Sequence, residues 1–279
     1  MRAIAASIDL VDSDADLAQQ ADYILSIVPP HDAEATAQRI ISALTNAPAR
    51  TEPLYYLDLN AISPRLARSI NTLFQPLGDH VRFVDGGIIG GPPTCQDPQH
   101  PENGWSRPSI PMSGRWDVSE SPVAGPELAQ TLHARHIGPN VGAASGLKMC
   151  FAALHKGFTA LAVESFTTAH RLGVLGELKT ELAETGSKAG QMAQGLVKMP
   201  PKAYRWVREM EEIDETFAED GGFENERIFA AVARLYDTIA TGTELGGEIT
   251  EKRKRGQTVD DVAECMSEGL EQRKARKTA

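Results

Sequence analysis

The sequence predicts an α/β chain: a mostly buried parallel sheet with crossover helices, followed by an all-α region. Three observations predict it. Short apolar runs alternate with helical patterns over the first third, the signature of a parallel sheet. Each run ends in proline, glycine or a small polar residue. After about residue 140 the strand signals stop, and long apolar stretches at helical spacing take over.

The first clear strand is Tyr23–Val28, YILSIV, ended by Pro29-Pro30; it reads as a buried parallel strand that the prolines cannot continue. His31–Leu44 follows with Ala35, Ile40, Ile41 and Leu44 at helical spacing. Leu54–Leu59 is the second strand, and Ser63-Pro64 opens another helix with proline at its first position. Val81–Asp85 is the third, running into Gly86-Gly87-Ile88-Ile89-Gly90-Gly91. Ile8–Val11 fits a short edge strand. Residues 92–108 read as an irregular loop, and Arg107–Gly114 as one more strand, placed near an edge by its prolines. Leu147–Leu172 is apolar all round and reads as the buried central helix of the second domain. Further helices are expected over 174–198, 201–219 and 224–241. The division is 1–138, 139–247 and a charged tail over 248–279, whose Lys252–Arg255 and Arg273–Lys277 read as a solvated helix end before a nucleic-acid contact.

Composition narrows the function classes. The chain has 279 residues, 41% hydrophobic and 24% charged, the balance of a soluble globular protein rather than a disordered one. A net charge of −10 argues against a nucleic-acid surface. No apolar run approaches a membrane span, and the N-terminus makes a poor signal peptide. Cys95, Cys150 and Cys265 are too scattered for a disulfide framework or a zinc site, so no metal and a reducing, cytoplasmic setting are expected.

Ligands of open α/β sheets bind beyond the carboxyl ends of the strands. Here those ends are Ser26–Pro30, Asp58–Pro64 and Asp85–Gly91. The glycines expose backbone N–H groups to a carboxylate or phosphate. Tight turns and helix caps explain any one of these; three in succession point to a site. Lys148 begins the apolar long helix, where burial brings a lysine toward proton-transfer range. A snorkelling lysine is the alternative. His155 lies two turns on at nearly the same azimuth, where an ordinary core histidine is expected.

These motifs, ADYILSIVPP, YLDLNAISP, VDGGIIGGPP and SGLKM, resemble the β-hydroxyacid dehydrogenase superfamily, closest to its 6-phosphogluconate dehydrogenase-like branch. AYRWVREMEEIDETF resembles that branch's poorly characterised C-terminal domain. The resemblance spans roughly residues 8–245. It implies an NAD(P)-linked oxidoreductase acting on a hydroxyl, carbonyl or imine carbon of a small metabolite, and a homodimer formed through the helical domain. Lys148 matches the family's catalytic lysine. Ile89, Gly90 and Gly91 match its substrate-binding Ser-Gly-Gly, with the serine replaced; Ala152 stands where the family has asparagine. Ser26, Val28 and Pro29 fall beside the nicotinamide half of the cofactor, NADP or NAD, with Asn60 a further cofactor contact.

One departure is large. The fingerprint of such a domain is Gly-x-Gly-x-x-Gly between its first strand and helix. Gly-x-Gly occurs nowhere in the 279 residues. The resemblance aligns Met1 just before the usual third strand, so the expectation is an incomplete Rossmann-like sheet without its first βαβ unit and with a bare apolar edge at Tyr23–Val28. Tight NAD(P)H binding by this chain is expected to be absent. The alternative function is a catalytically silent homologue that dimerises or binds a partner.

Overall fold

The computed structural model describes residues 8–46, 48, 50–97, 104–186 and 194–278. The chain divides into two compact units, Met1–Met149 and Cys150–Ala279. The division falls inside the long helix, and residues 248–279 group with the second unit.

In the first unit the elements are α1 (Asp14–Gln20), β1 (Tyr23–Ser26), α2 (Ala33–Thr45), β2 (Leu54–Asp58), α3 (Pro64–Phe74), β3 (Val81–Gly86), β4 (Thr94–Cys95), β5 (Trp105–Ser106), β6 (Ile110–Ser113), α4 (Gly125–Leu132), β7 (Ala134–His136) and the start of α5 (Ala143–Arg171). The five-stranded sheet has the order β1-β2-β3-β6-β7. All its pairs are parallel except β3 with β6.

Both faces of the sheet are covered. Every residue of β2 is buried. Leu54 and Tyr56 join Ile24, Ile40, Ile70, Phe74 and Phe83 on the face packed by α2 and α3. Tyr55 and Leu57 join Val84, Ile110, Met112 and Leu128 on the other. This period of two is why β2 reads as a continuous apolar run. Ser63 caps α3, its hydroxyl accepting from the Leu66 N–H at 3.3 Å, with Pro64 at the first helical position, as the sequence expects.

Several expectations are corrected. Ile8–Val11 is not a strand; Ile8 and Leu10 are exposed. Arg107–Gly114 forms a strand only over Ile110–Ser113; it lies next to the edge strand β7, as expected, but is itself covered on both sides by β3 and β7, all four residues being buried. It runs antiparallel because the chain returns directly along β3, with Ile89 and Ser109 exchanging backbone bonds on the way. Pro111 is tolerated there because its carbonyl still accepts from the Gly87 N–H at 3.1 Å; only the return bond is lost. The loop over 92–108 contains the short β4–β5 pair, and residues 98–103 lie outside the described residues. The elements α1, α4 and β7 carry too weak a pattern to be expected from sequence.

The second unit continues α5 and adds α6 (Leu175–Glu184), α7 (Gln194–Lys198), α8 (Ala203–Glu219), α9 (Ile228–Gly242) and α10 (Val259–Thr278). The expected helix over 174–198 is described as α6 and α7, residues 187–193 lying outside the description. Met199, Met210, Ile213, Tyr236, Ile239 and Val262 are fully buried. Trp206 meets Tyr236 edge-on at 5.2 Å. The segment expected as a charged tail packs Val262, Ala263, Cys265 and Met266 inward, and Arg255 pairs with Asp261 and Glu244. The long helix is not buried all round. Phe151, Leu154, Phe158 and Leu161 are exposed, Leu154 by 66%. No helix among the described residues is long and apolar enough to cross a membrane.

Candidate functional site

The parallel register of β1, β2 and β3 sets Ser26, Asp58 and Asp85 side by side at the carboxyl ends of the strands. All three are buried, so each requires polar partners. Asn60 supplies those of the first two. Its Oδ1 accepts from the Val28 N–H at 2.7 Å, its Nδ2 donates to Ser26 Oγ at 3.0 Å, and its own N–H donates to Asp58 Oδ1 at 3.0 Å. The side chain of Asn60 thus ties the end of β1 to the end of β2. Asp58 Oδ2 is buried with no hydrogen-bond partner. Burial, reinforced by the adjacent Asp85 charge and opposed by the Asn60 N–H, pushes the Asp58 carboxyl up to about 7.

Asp85 is satisfied differently. Its Oδ2 accepts from the N–H groups of Gly142, Ala144 and Ser145 at 2.9, 3.2 and 3.2 Å, and from Ser113 Oγ at 2.8 Å. Its Oδ1 accepts from Ser145 Oγ. Two of the orphan amides that open an α-helix, those of Ala144 and Ser145, together with the Gly142 amide just before them, are here taken by one strand-end carboxylate, which ties the start of α5 to β3 and β6.

One turn further along α5 stands Lys148, half-buried, its Nζ donating to the Ile88 carbonyl at 2.6 Å. Gly87 makes this possible. A Cβ there would lie 2.8 Å from Lys148 Cβ and 3.4 Å from the Ala144 carbonyl, so only glycine admits the lysine stem. The expectation that this glycine run is an open amide nest is corrected in part: the N–H groups of Gly87 and Ile89 are bonded to Pro111 and Ser109. Gly90, at φ 131°, and Gly91 are exposed.

Of the residues singled out from sequence, Ser26, Val28 and Asn60 therefore form one hydrogen-bonded group, and Ile89, Gly90 and Gly91 follow the carbonyl that holds Lys148. Pro29 is exposed beside them. His155 is exposed, not a core histidine, and meets Phe151 edge-on at 6.3 Å. Sequence reasoning missed the roles of Asp85, Ser113 and Ser145. The available signal was an aspartate ending an otherwise apolar strand, which cannot be buried without donors. No cluster of three or more metal-binding side chains is found among the described residues. Two grooves lie elsewhere, about 790 Å³ over α1 and α2 and about 670 Å³ between α9 and α10, and hold none of these residues.

Comparison with known proteins bears on the fold. Residues 169–239 match DUF1932, a domain of unknown function. Among curated proteins none matches the chain. A conserved hypothetical protein from Sinorhizobium meliloti 1021 is 24% identical with a TM-score of 0.61, covering 96% of this chain and 82% of that one. Conserved protein MTH1747, of unknown function and described as structurally similar to 3-hydroxyacid dehydrogenases, is 25% identical with a TM-score of 0.56, covering 85% and 81%. The 3-hydroxyisobutyrate dehydrogenase of Mycobacterium tuberculosis, solved with L-serine, is 14% identical with a TM-score of 0.59, covering 94% and 85%. In fold, then, the chain is similar to these proteins, a 3-hydroxyisobutyrate dehydrogenase among them, and residues 169–239 of its helical region match DUF1932.

Proposed function

We propose that this scaffold serves NAD(P)-linked hydride transfer at a hydroxyl, carbonyl or imine carbon of a small acidic metabolite, with Lys148 as the acid/base. The observation that carries the reading is the setting of Lys148. Its ammonium is held on the Ile88 carbonyl at 2.6 Å by a glycine-dependent fit, beside the strand ends where α/β sheets bind ligands. From there the ammonium delivers a proton to a substrate oxygen or nitrogen, or the neutral amine removes one. The exposed backbone of Gly90 and Gly91 offers close approach to a substrate carboxylate.

The residues fit one end of the coenzyme. Ile27 and Pro29 are exposed and Val28 half-buried at the end of β1, an apolar ledge for a flat ring, kept in place by Asn60 through Ser26 Oγ and the Val28 N–H. A nicotinamide on that ledge supplies or accepts the hydride. For the diphosphate the sequence offers no Gly-x-Gly turn, so micromolar affinity is not expected of these 279 residues. The test is oxidation of NADPH or NADH at millimolar concentration against a panel of small keto, aldehyde and imino acids. Turnover above background with at least one supports the proposal; none across the panel removes it.

One observation favours a second reading, a dimerising protein without turnover. Phe151, Leu154, Phe158 and Leu161 recur at intervals of three, four and three residues along α5, all more than 40% exposed. A continuous apolar stripe of this kind marks an interaction surface, and a second copy of the chain is the occupant we propose, under either reading. Sedimentation equilibrium is expected to give a dimer at micromolar concentration, and a monomer would count against it.

A further inference from the structure

We infer that Asp85 is the positioning residue for Lys148: its carboxylate, clamped on the first turn of α5, fixes where along and around the helix that lysine projects. The inference rests on the acid/base reading of Lys148 and adds a residue to it. Asp85 is fully buried. What it touches is the segment that carries the lysine. Three amides at the α5 start, those of Gly142, Ala144 and Ser145, converge on Oδ2, and the Ser145 hydroxyl takes Oδ1. Ser113 adds a hydroxyl from β6 to the same oxygen and also accepts from the Ala144 N–H at 3.0 Å.

Ser145 stands three residues before Lys148, on the same side of the helix. The other end of the constraint is two residues after Asp85, where Gly87 receives the lysine stem, and three after, where Ile88 receives its ammonium. A single stretch of chain, Asp85–Ile88, therefore grips α5 at both Ser145 and Lys148. Gly142 and Gly146 close the third side, since a Cβ at either would meet Pro64 at 3.1 and 3.4 Å. A charge-assisted network of this kind holds a side chain far more narrowly than packing alone.

The test reads Lys148 directly and needs no coenzyme, substrate or turnover, so it stands or falls apart from the proposed reaction. Purified protein is pulsed with limiting acetic anhydride between pH 6 and 10, and acetylation of each lysine is quantified by mass spectrometry. Asp85→Ala is expected to raise the labelling rate of Lys148 by about fivefold, the change that goes with losing one hydrogen bond to the ammonium. Lys179, paired with Asp260 in the second unit, is expected to stay unchanged. Ile70→Ala, a cavity in the sheet core outside the clamp, serves as the control for destabilisation alone and is expected to leave Lys148 labelling within about twofold. Should Asp85→Ala fail to fold, Asp85→Asn keeps an oxygen for the amides while losing the charge, and must give at least about a threefold rise. Unchanged Lys148 labelling in the Asp85 variant that folds overturns the proposal. So does an equal rise in Ile70→Ala, which would make the effect one of general stability.

Discussion

Asp58 and Asp85 stand opposite each other on adjacent strands, yet their surroundings differ sharply. Asp85 accepts five hydrogen bonds, whereas Asp58 accepts from the Asn60 N–H and has a buried oxygen without a partner. Burial, reinforced by the Asp85 charge, pushes the Asp58 carboxyl up to about 7 from an ordinary 3.8. Between pH 4 and 7 the folded chain retains a proton that the unfolded chain has lost, so stability falls as pH rises through that window and stays lower above it. Asp58→Asn mimics the protonated acid at every pH. Thermal melts are expected to show the variant equal to wild type near pH 4 but more stable at pH 8, by on the order of 2 kcal/mol. A variant that loses stability at pH 8 would assign Asp58 a stabilising charge instead. At this scale the sequence was informative about which positions matter and silent about their state. Asn60 reads as a ligand contact, while its amide atoms bind Ser26 and Val28, because a local pattern does not reveal which strand lies alongside.

The elements whose periodicity is complete within themselves were legible. Strands β1, β2 and β3 and helices α2 and α3 each carry an uninterrupted apolar pattern and a clear stop signal, and they appear within a few residues of expectation. What was not legible depends on partners. Strand β6 contains a proline and pairs in both directions, and β7 is three residues long with two polar side chains; only the neighbouring strands make either a strand. Glycines show the same dependence. Gly87 and Gly91 look alike in sequence, but a Cβ on Gly87 would press on Lys148 and the Ala144 carbonyl, whereas one on Gly91 meets nothing within 4 Å. Gly87→Ala is expected to force β3 and α5 apart and cost about 1–3 kcal/mol. Gly91→Ala is expected to stay within about 0.5 kcal/mol of wild type. Chemical denaturation of the two variants checks this, and equal losses would contradict the fit of the lysine stem to Gly87.

For the molecule as a whole, the order α/β unit then helical unit was readable because the hydrophobic period changes once, near residue 140. The burial of α5 was not, since a helix apolar on all sides reads as enclosed whether its last face meets its own chain or another. The candidate site was readable as three strand ends and one lysine, but not as a linked structure in which Asp85, Gly87 and Ile88 together hold the start of that helix. The chemistry proposed for the molecule comes down to that lysine. The most direct measurement is NADPH oxidation by wild type and Lys148→Ala side by side, with cofactor affinity determined for both. The account predicts that the variant loses turnover by about 10²–10⁴-fold while its affinity for NADPH stays within about twofold, since Lys148 handles the proton and not the coenzyme. A Lys148→Ala protein that keeps wild-type turnover would contradict it.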